Sequence, residues 1–314
     1  MGSKLATVIL PCYNCEKYIG SAINSILRQS YSNFELIIID DGSTDGSATI
    51  IKSFADDRIV FLRQENGGKA NAVNKALDIS KGEYWMLQDA DDISHASRLE
   101  ILIAKLENDR SLGAVFSGND LIIGGETLAP RFEPRTVSQC KELIAQLRLP
   151  AHDACGLYRS DCTTLLRFDE NLRIGQGVDF VLRFGELQNI EVVGACLYSH
   201  RVNHFSTTHK SKKNNILNIN TVFQKASKRR NVPYNPIKGP NPIFAKIFAH
   251  RDKDNFITYA VESVAQLSRA KHRSKALATA WFCIKRHPLD PLFYKPLLNF
   301  LYLTASTLLK IPRK

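Results

Sequence analysis

The stretch Tyr84-Trp85-Met86-Leu87-Gln88-Asp89-Ala90-Asp91-Asp92 decides how this chain is read. A short apolar run rich in aromatic residues stops abruptly at Asp89, Asp91 and Asp92. If Tyr84–Leu87 is a buried strand, those carboxylates emerge at its C-terminal end, where open α/β sheets place their ligands. Acidic side chains this close repel one another unless something cationic holds them. Oxygen-only ligands suit a hard octahedral ion such as Mg²⁺ or Mn²⁺, shared with substrate phosphates. The same residues also read as a solvated acidic turn before a helix starting near Ser94. The neighbouring sequence tips the balance toward the ion.

Upstream, Ala6–Leu10 is a β-branched apolar run ending at Pro11, a first strand. Apolar residues from Tyr18 to Leu27 recur at helical spacing, so residues 16–29 form an amphipathic helix. Phe34–Ile39 is continuously apolar, as a strand buried on both faces should be. It ends in Asp40-Asp41-Gly42-Ser43-Thr44-Asp45, a turn that leads into a helix through about Phe54. Ile59–Leu62 is a third strand, and Asn66-Gly67-Gly68 breaks the chain before a helix over Lys69–Ile79. Downstream of the opening stretch come a helix over Ala96–Leu106 and a strand at Ala114–Ser117. This alternation predicts βαβ units and a mostly parallel sheet. Three polar turns, Pro11–Asn14, Asp40–Asp45 and Asp89–Asp92, then share one sheet edge and one cleft.

Beyond Leu121 the pattern loosens. Leu157–Tyr158, Phe168–Glu170 and Asp179–Phe184 read as loops and a short helix closing the cleft, and Glu191–Tyr198 as a strand before Ser199-His200-Arg201. From Lys210 onward only helices are expected, with a Pro- and Asn-rich linker at Asn231–Pro242. Residues 1–209 are therefore read as the main domain and 210–314 as a basic helical C-terminal region. The apolar Leu297–Leu309 is shorter than the ~20 residues that span a bilayer. It suits either a helix packed on the protein or one lying in a membrane interface.

Composition bounds the function. The formal charge of +11 is concentrated late: Arg201–Arg230 carries basic residues and no acidic one, and Lys271–Lys314 carries only Asp290. That asymmetry favours a polyanionic partner, an anionic membrane face or a phosphorylated substrate. No nucleic-acid motif accompanies the charge, so nucleic acid is not expected. The seven cysteines lack the even spacing of a disulfide framework. Cys12 and Cys15 read as small loop residues, because no second pair stands at zinc-site spacing. Met1–Lys4 runs straight into a strand without a leader pattern, and a reducing cytoplasm fits best.

Four blocks carry a resemblance. Thr7-Val-Ile-Leu-Pro-Cys-Tyr-Asn14, Asp40-Asp-Gly-Ser-Thr-Asp45, Asn66-Gly-Gly-Lys-Ala-Asn-Ala-Val-Asn74 and Asp89-Ala-Asp-Asp92 stand in the order and spacing of family 2 glycosyltransferases of the GT-A fold. The resemblance covers roughly residues 5–120. It implies an α/β, Rossmann-like sheet with helices on its faces. It also implies transfer of a sugar from a nucleotide-sugar, a UDP-sugar above all, with inversion. The acceptor would be a glycan or lipid-linked glycan of surface polysaccharide synthesis, with the basic C-terminal region holding the protein peripherally at the inner face of the plasma membrane.

Site roles follow from the same resemblance. Pro11 and Tyr13 belong to the nucleotide turn, with Tyr13 stacking on the base. Asp41 would accept the uracil N3–H, and Lys69 would stand near the nucleotide or diphosphate. Asp91 would face the ribose and the Mn²⁺ or Mg²⁺ ion, Asp92 would bind that ion, and His200 would sit beside it. The residues alone also permit Asp41 as a turn former, Tyr13 as a core aromatic, and Lys69 and His200 as surface groups.

The base is the weak point. Direct displacement needs a carboxylate to take the acceptor hydroxyl's proton. The resemblance implies an acidic pair six residues before an Arg, but before Arg183 those positions hold Gln176 and Gly177. Asp179 is the first substitute, although a two-residue step on a helix turns about 200° away. Asp153 is another carboxylate of the region. A transferase relative that binds nucleotide and metal without turnover is the alternative reading. A nucleotidyltransferase is disfavoured, because Pro11–Lys17 contains no Gly or Arg to grip phosphates.

Overall fold

The structure, a computed structural model, describes residues 3–123, 126–128, 132–201, 212–231 and 291–308, with isolated positions between 277 and 285. These residues fall into two compact units. The first comprises residues 1–119 and 133–237, and the second 120–132 and 238–314.

The first unit is built on four parallel strands. β1 (Ala6–Cys12) lies between β2 (Phe34–Asp40) and β4 (Tyr84–Leu87), and β3 (Ile59–Arg63) extends the sheet beyond β2. Every position of β1 is buried, as a central strand covered on both faces requires. The connecting helices are α1 (Ile19–Leu27), α2 (Ser47–Lys52) and α3 (Lys69–Ile79). The chain moves outward from β1 to β3, then returns to the other side of β1 with β4. That reversal is a topological switch point, and crevices open there at the strands' C-terminal ends.

Past β4 the sheet departs from the mostly parallel expectation. β8 (Gly156–Arg159) pairs antiparallel with β4 and with β6 (Leu112–Ile123). β9 (Asn189–Arg201) pairs antiparallel with β5 (Ile93–Ser94). The full order is β3-β2-β1-β4-β8-β6-β9-β5, with β7 (Glu126–Leu128) beside β6. Leu157–Tyr158 is thus central strand rather than loop, since its alternate side chains are buried on both faces of the sheet. β6 and β9 also outrun their expected lengths, because polar positions such as Asn119, Asp120 and Ser199 are buried within them.

One face of the sheet packs Val8, Leu10, Leu36 and Met86 against Ile19, Ile23 and Ile26 of α1 and Leu99, Leu102 and Leu106 of α4 (Arg98–Asn108). The other face gathers aromatic rings. Trp85 stacks on Tyr158 at 4.5 Å, Phe168 on Phe180 at 4.3 Å, and Trp85 Nε1 donates to Thr163 Oγ1 at 2.9 Å. Such pairs add roughly 0.5–1.5 kcal/mol each beyond their buried area. Phe180 comes from α6 (Gln176–Leu187), twice the length expected of Asp179–Phe184 and started by Gly175 in the left-handed region at φ 85°. α5 (Val137–Ala145) and α7 (Lys212–Arg230) pack on α6. Glu186 of α6 bonds Arg229 at 3.1 Å and Arg230 at 2.8 Å.

In the second unit, β7 pairs with the end of β6 from Leu121↔Leu128 to Ile123↔Glu126. The turn Pro291–Tyr294 leads into α8 (Lys295–Leu308), whose Phe300 packs with Ala280 and Leu297. Among the described residues no helix is long and apolar enough to cross a membrane. The expected linker after Asn231, most of the basic stretch from Lys271 and the end of the apolar run at Leu309 lie outside the described residues.

Candidate active site

The β1–β2 register places Pro11 beside Ile39 and Cys12 beside Asp40, so Tyr13 and Asp41 leave the sheet together. Gln88 N donates to Ile9 O at 2.9 Å, bringing the Asp89 loop out next to them. Hydrogen bonds then join the first two turns. Asn14 N donates to Ser43 Oγ at 3.0 Å, Thr44 N to Asn14 Oδ1 at 2.8 Å, and Glu16 N to Asp45 Oδ2 at 3.0 Å. Tyr13 is 50% exposed at this edge, so it is not a core aromatic.

Asp41 organises the third block. Its carboxylate accepts from Gly67 N, Gly68 N and Gln64 Nε2, each at 2.8 Å. The glycines are what permit this approach. Gly68 has φ 90°, and a Cβ on Gly42 (φ 77°) would stand 3.0 Å from Asn66 N. A carboxylate has about four lone-pair positions, and three donors here use most of them. Asp40, fully buried, accepts from Ser43 N at 3.0 Å and faces Arg63 Nε at 3.2 Å.

The fourth block is electrostatically different. Lys69 Nζ, at the start of α3, reaches Asp89 Oδ1 at 2.5 Å. Burial opposes both charges, yet each outweighs that penalty on the other. Asp89 is held below the usual carboxylate range, and Lys69, which also feels Asp153, is held above its ordinary value. Asp92 is 0% exposed and accepts from Tyr198 Oη at 2.7 Å and Arg201 N at 2.7 Å, with His200 Nδ1 at 3.1 Å. The end of β9 therefore holds this loop. Among the described residues Asp91 has no comparable partner. Burial first, then the charges of Asp92 and Asp89, push its carboxyl up to about 7.

Three contributors were not singled out from sequence. Tyr198 accepts from Asp89 N at 3.2 Å while donating to Asp92. His152 stacks on Tyr198, and its ring lies 5.1 Å from that of His200. Arg98 is fully buried, donating to Ser94 Oγ at 2.9 Å and to the carbonyls of Leu87 and Ala154, with its guanidinium over the Tyr198 ring. Arg98 leaves a trace in the sequence: it precedes Leu102 and Leu106 at four-residue steps, a charge on an apolar stripe.

Asp179 is placed elsewhere than the base role requires. It is 2% exposed, and its Oδ2 accepts from Arg183 Nε at 2.7 Å.

The donor set suits a hard divalent ion. Among the described residues no three His, Cys, Asp or Glu side chains already stand in ligand geometry. Magnesium-type sites commonly take one or two carboxylates and leave the remaining positions to phosphate and water. Asp91 and Asp92 can supply those carboxylates. His200, bonded to Asp92 through Nδ1, orients that carboxylate, and its Nε2 points away from it.

A switch-point cleft lined by three strand-end turns, the last of them the acidic Asp89–Asp92 loop, is the arrangement of the GT-A glycosyltransferase fold. Residues 7–160 match the model of glycosyl transferase family 2, and the chain belongs to that family. It is 37% identical over 134 residues to the Escherichia coli UDP-Glc:alpha-D-GlcNAc-diphosphoundecaprenol beta-1,3-glucosyltransferase WfgD, covering 42% of this chain and 52% of that protein. The chain thus spans about half the length of that relative, and a smaller share of several others. Among solved structures, Staphylococcus aureus TarS 1-349 in complex with UDP superposes with a TM-score of 0.59 at 19% identity, covering 98% of this chain and 93% of that one. The mannosyltransferase PcManGT from Pyrobaculum calidifontis, in complex with GDP-Man and Mn²⁺, gives 0.56 at 18% identity, covering 98% and 88%.

Proposed function

We propose that this chain is a metal-dependent, inverting glycosyltransferase that takes a hexosyl or N-acetylhexosaminyl unit from a UDP-sugar. The acceptor in this reading is a glycan or lipid-linked glycan of surface polysaccharide synthesis. One observation carries the proposal: three carboxylates, Asp89, Asp91 and Asp92, leave β4 at the switch-point edge of the sheet, and among the described residues Lys69 is the Lys or Arg side chain that pairs with them. A divalent ion held by Asp91 and Asp92, with His200 orienting Asp92, would supply Lewis-acid stabilisation of the leaving diphosphate.

The chain's own residues account for the rest. Tyr13 offers an exposed ring to the base. The Asp41 carboxylate keeps room for one further donor, such as uracil N3–H, beyond the three it already accepts. Lys69 sits between the acidic loop and the nucleotide turn and can turn its charge toward the diphosphate. Tyr198 and Arg201 N hold Asp92 in place, so the loop is positioned before substrate arrives.

WfgD's name, with a UDP-glucose donor and a diphosphoundecaprenol acceptor, and the UDP in TarS support a uridine nucleotide. PcManGT's GDP-Man makes a guanine nucleotide the rival. Isothermal titration of UDP and GDP, each with Mn²⁺, separates them: UDP should bind at least tenfold more tightly, and preference for GDP would overturn the donor assignment. Transfer from UDP-glucose and UDP-GlcNAc to GlcNAc-diphosphoundecaprenol tests the activity, with Asp92→Ala as the inactive control. The basic C-terminal region would hold the protein at an anionic membrane face. Failure to sediment with anionic liposomes at low salt would remove that part.

The buried ion pair of Asp179 and the glycine at 177 favour a second reading, a nucleotide-sugar-binding protein without turnover. UDP binding with no product on a broad acceptor panel would establish it.

A further inference from the structure

The proposed reaction needs a proton acceptor, and the carboxylates around the cleft can be sorted by what already holds them. Asp89 is paired with Lys69, and Asp41 and Asp92 each accept several hydrogen bonds. Glu170 accepts from Asn71 Nδ2 at 2.9 Å and Asn74 Nδ2 at 2.8 Å. Asp179 is locked to Arg183.

Asp153 is different. Its side chain is 25% exposed, and His152 Nδ1 at 3.5 Å is its near neighbour. That nitrogen accepts from Ala154 N at 3.3 Å, so it offers Asp153 a lone pair and no proton. The Asp153 charge is nonetheless felt at Lys69, which places the carboxylate within the field of the site.

Its position is set by Gly177. A Cβ built on Gly177 would lie 1.7 Å from Asp153 Oδ2 and 2.6 Å from its Cγ. The Asp153 carboxylate therefore occupies the space where any side chain at 177 would begin, against the first turn of α6. Position 177 is where the sequence lacks the expected acid. A carboxylate from the turn before β8 stands at that position of the helix.

We propose that Asp153 is the catalytic base of the transfer reaction. Its carboxylate takes the proton of the acceptor hydroxyl as that oxygen forms the bond to the anomeric carbon. The bond from that carbon to the nucleoside diphosphate breaks, and its electron pair leaves on the diphosphate. Partial exposure lets the proton pass to solvent after product leaves. This inference rests on the transferase reading above.

The test compares wild type with D153N, and with the relocated pair D153G/G177D. The readouts are UDP release with GlcNAc-diphosphoundecaprenol as acceptor, and titration of UDP with Mn²⁺. D153N should lose about 10²- to 10⁴-fold in kcat while UDP affinity stays within about threefold. D153G/G177D returns the acid to the helix and should recover at least about tenfold over D153N. An active wild type with D153N within fivefold of it overturns the base assignment alone, as does D153N that loses UDP binding along with turnover. Should D153N fail to fold by circular dichroism, the relocated pair decides: activity supports the assignment, and a folded, inactive protein refutes it. A wild type that binds UDP but transfers nothing ends the transferase reading and this inference together.

Discussion

Two acidic turns leave the same edge of the same sheet and meet opposite fates. The Asp40–Asp45 turn is satisfied from within: backbone N–H groups, Gln64 and Arg63 take up its carboxylates. The Asp89–Asp92 loop is satisfied only in part. Lys69 balances Asp89 and the end of β9 holds Asp92, while Asp91 keeps a charge that its surroundings oppose. Aspartates of similar spacing are thus bonded within the protein in one turn and, among the described residues, only partly balanced in the other. The difference lies in how many donors the neighbouring backbone supplies.

The sharpest break between the two turns should come from truncation. Asp92→Ala is expected to reduce transfer by about 10²- to 10³-fold, as loss of a preorganised electrostatic group does. A steady-state assay with UDP-sugar checks this, and a rate within tenfold of wild type would erase the distinction.

The next effect is a pH dependence. The Asp91 carboxyl ionises near 3.8 in the unfolded chain and near 7 in the folded one. Its contribution to metal-free stability is therefore full below about pH 4 and is lost as pH rises toward 7. At ~1.4 kcal/mol per pKa unit, the loss is at most ~4 kcal/mol. Asp91→Asn should flatten this slope in urea melts run from pH 4 to 8, and Mn²⁺ should steepen its own binding through the same range. A slope unchanged by the substitution would show that Asp91 is not the uncompensated group.

A smaller change is expected in the satisfied turn. Asp41→Ala leaves Gly67 N and Gly68 N without their acceptor, costing roughly 1–2 kcal/mol in denaturant unfolding. Unchanged stability with loss of Mn²⁺ binding would reverse the roles assigned to the two turns. Smallest of all, Tyr13→Ala should weaken UDP by about 1 kcal/mol, the low end for aromatic–base stacking. Its half-exposed ring predicts no measurable change in melting temperature.

The order of strands and helices through β4 was legible because apolar periodicity and Gly- or Asp-rich turns report local backbone preference, whereas the two-residue β5 before α4 left no such signal. The convergence of three turns followed as well, since successive parallel strands present their C-terminal ends on one edge. Other features were not legible. β8 carries the same apolar composition as a loop closing a cleft, and only its pairing with β4 and β6 identifies it. Arg98, His152 and Tyr198 meet the acidic loop from distant elements, so no local spacing announces them.

Within the chain's own residues, what sequence alone determined is the chemistry available: an aromatic in the first turn, an acidic loop, a lysine behind two glycines, and an acid missing before Arg183. Tertiary structure decided which of those charges are already neutralised, and that a carboxylate from Asp153 fills the gap at Gly177. Sequence periodicity reports on neighbours a few residues apart. The ionisation and reach of a carboxylate depend on groups that only packing brings within a few ångströms.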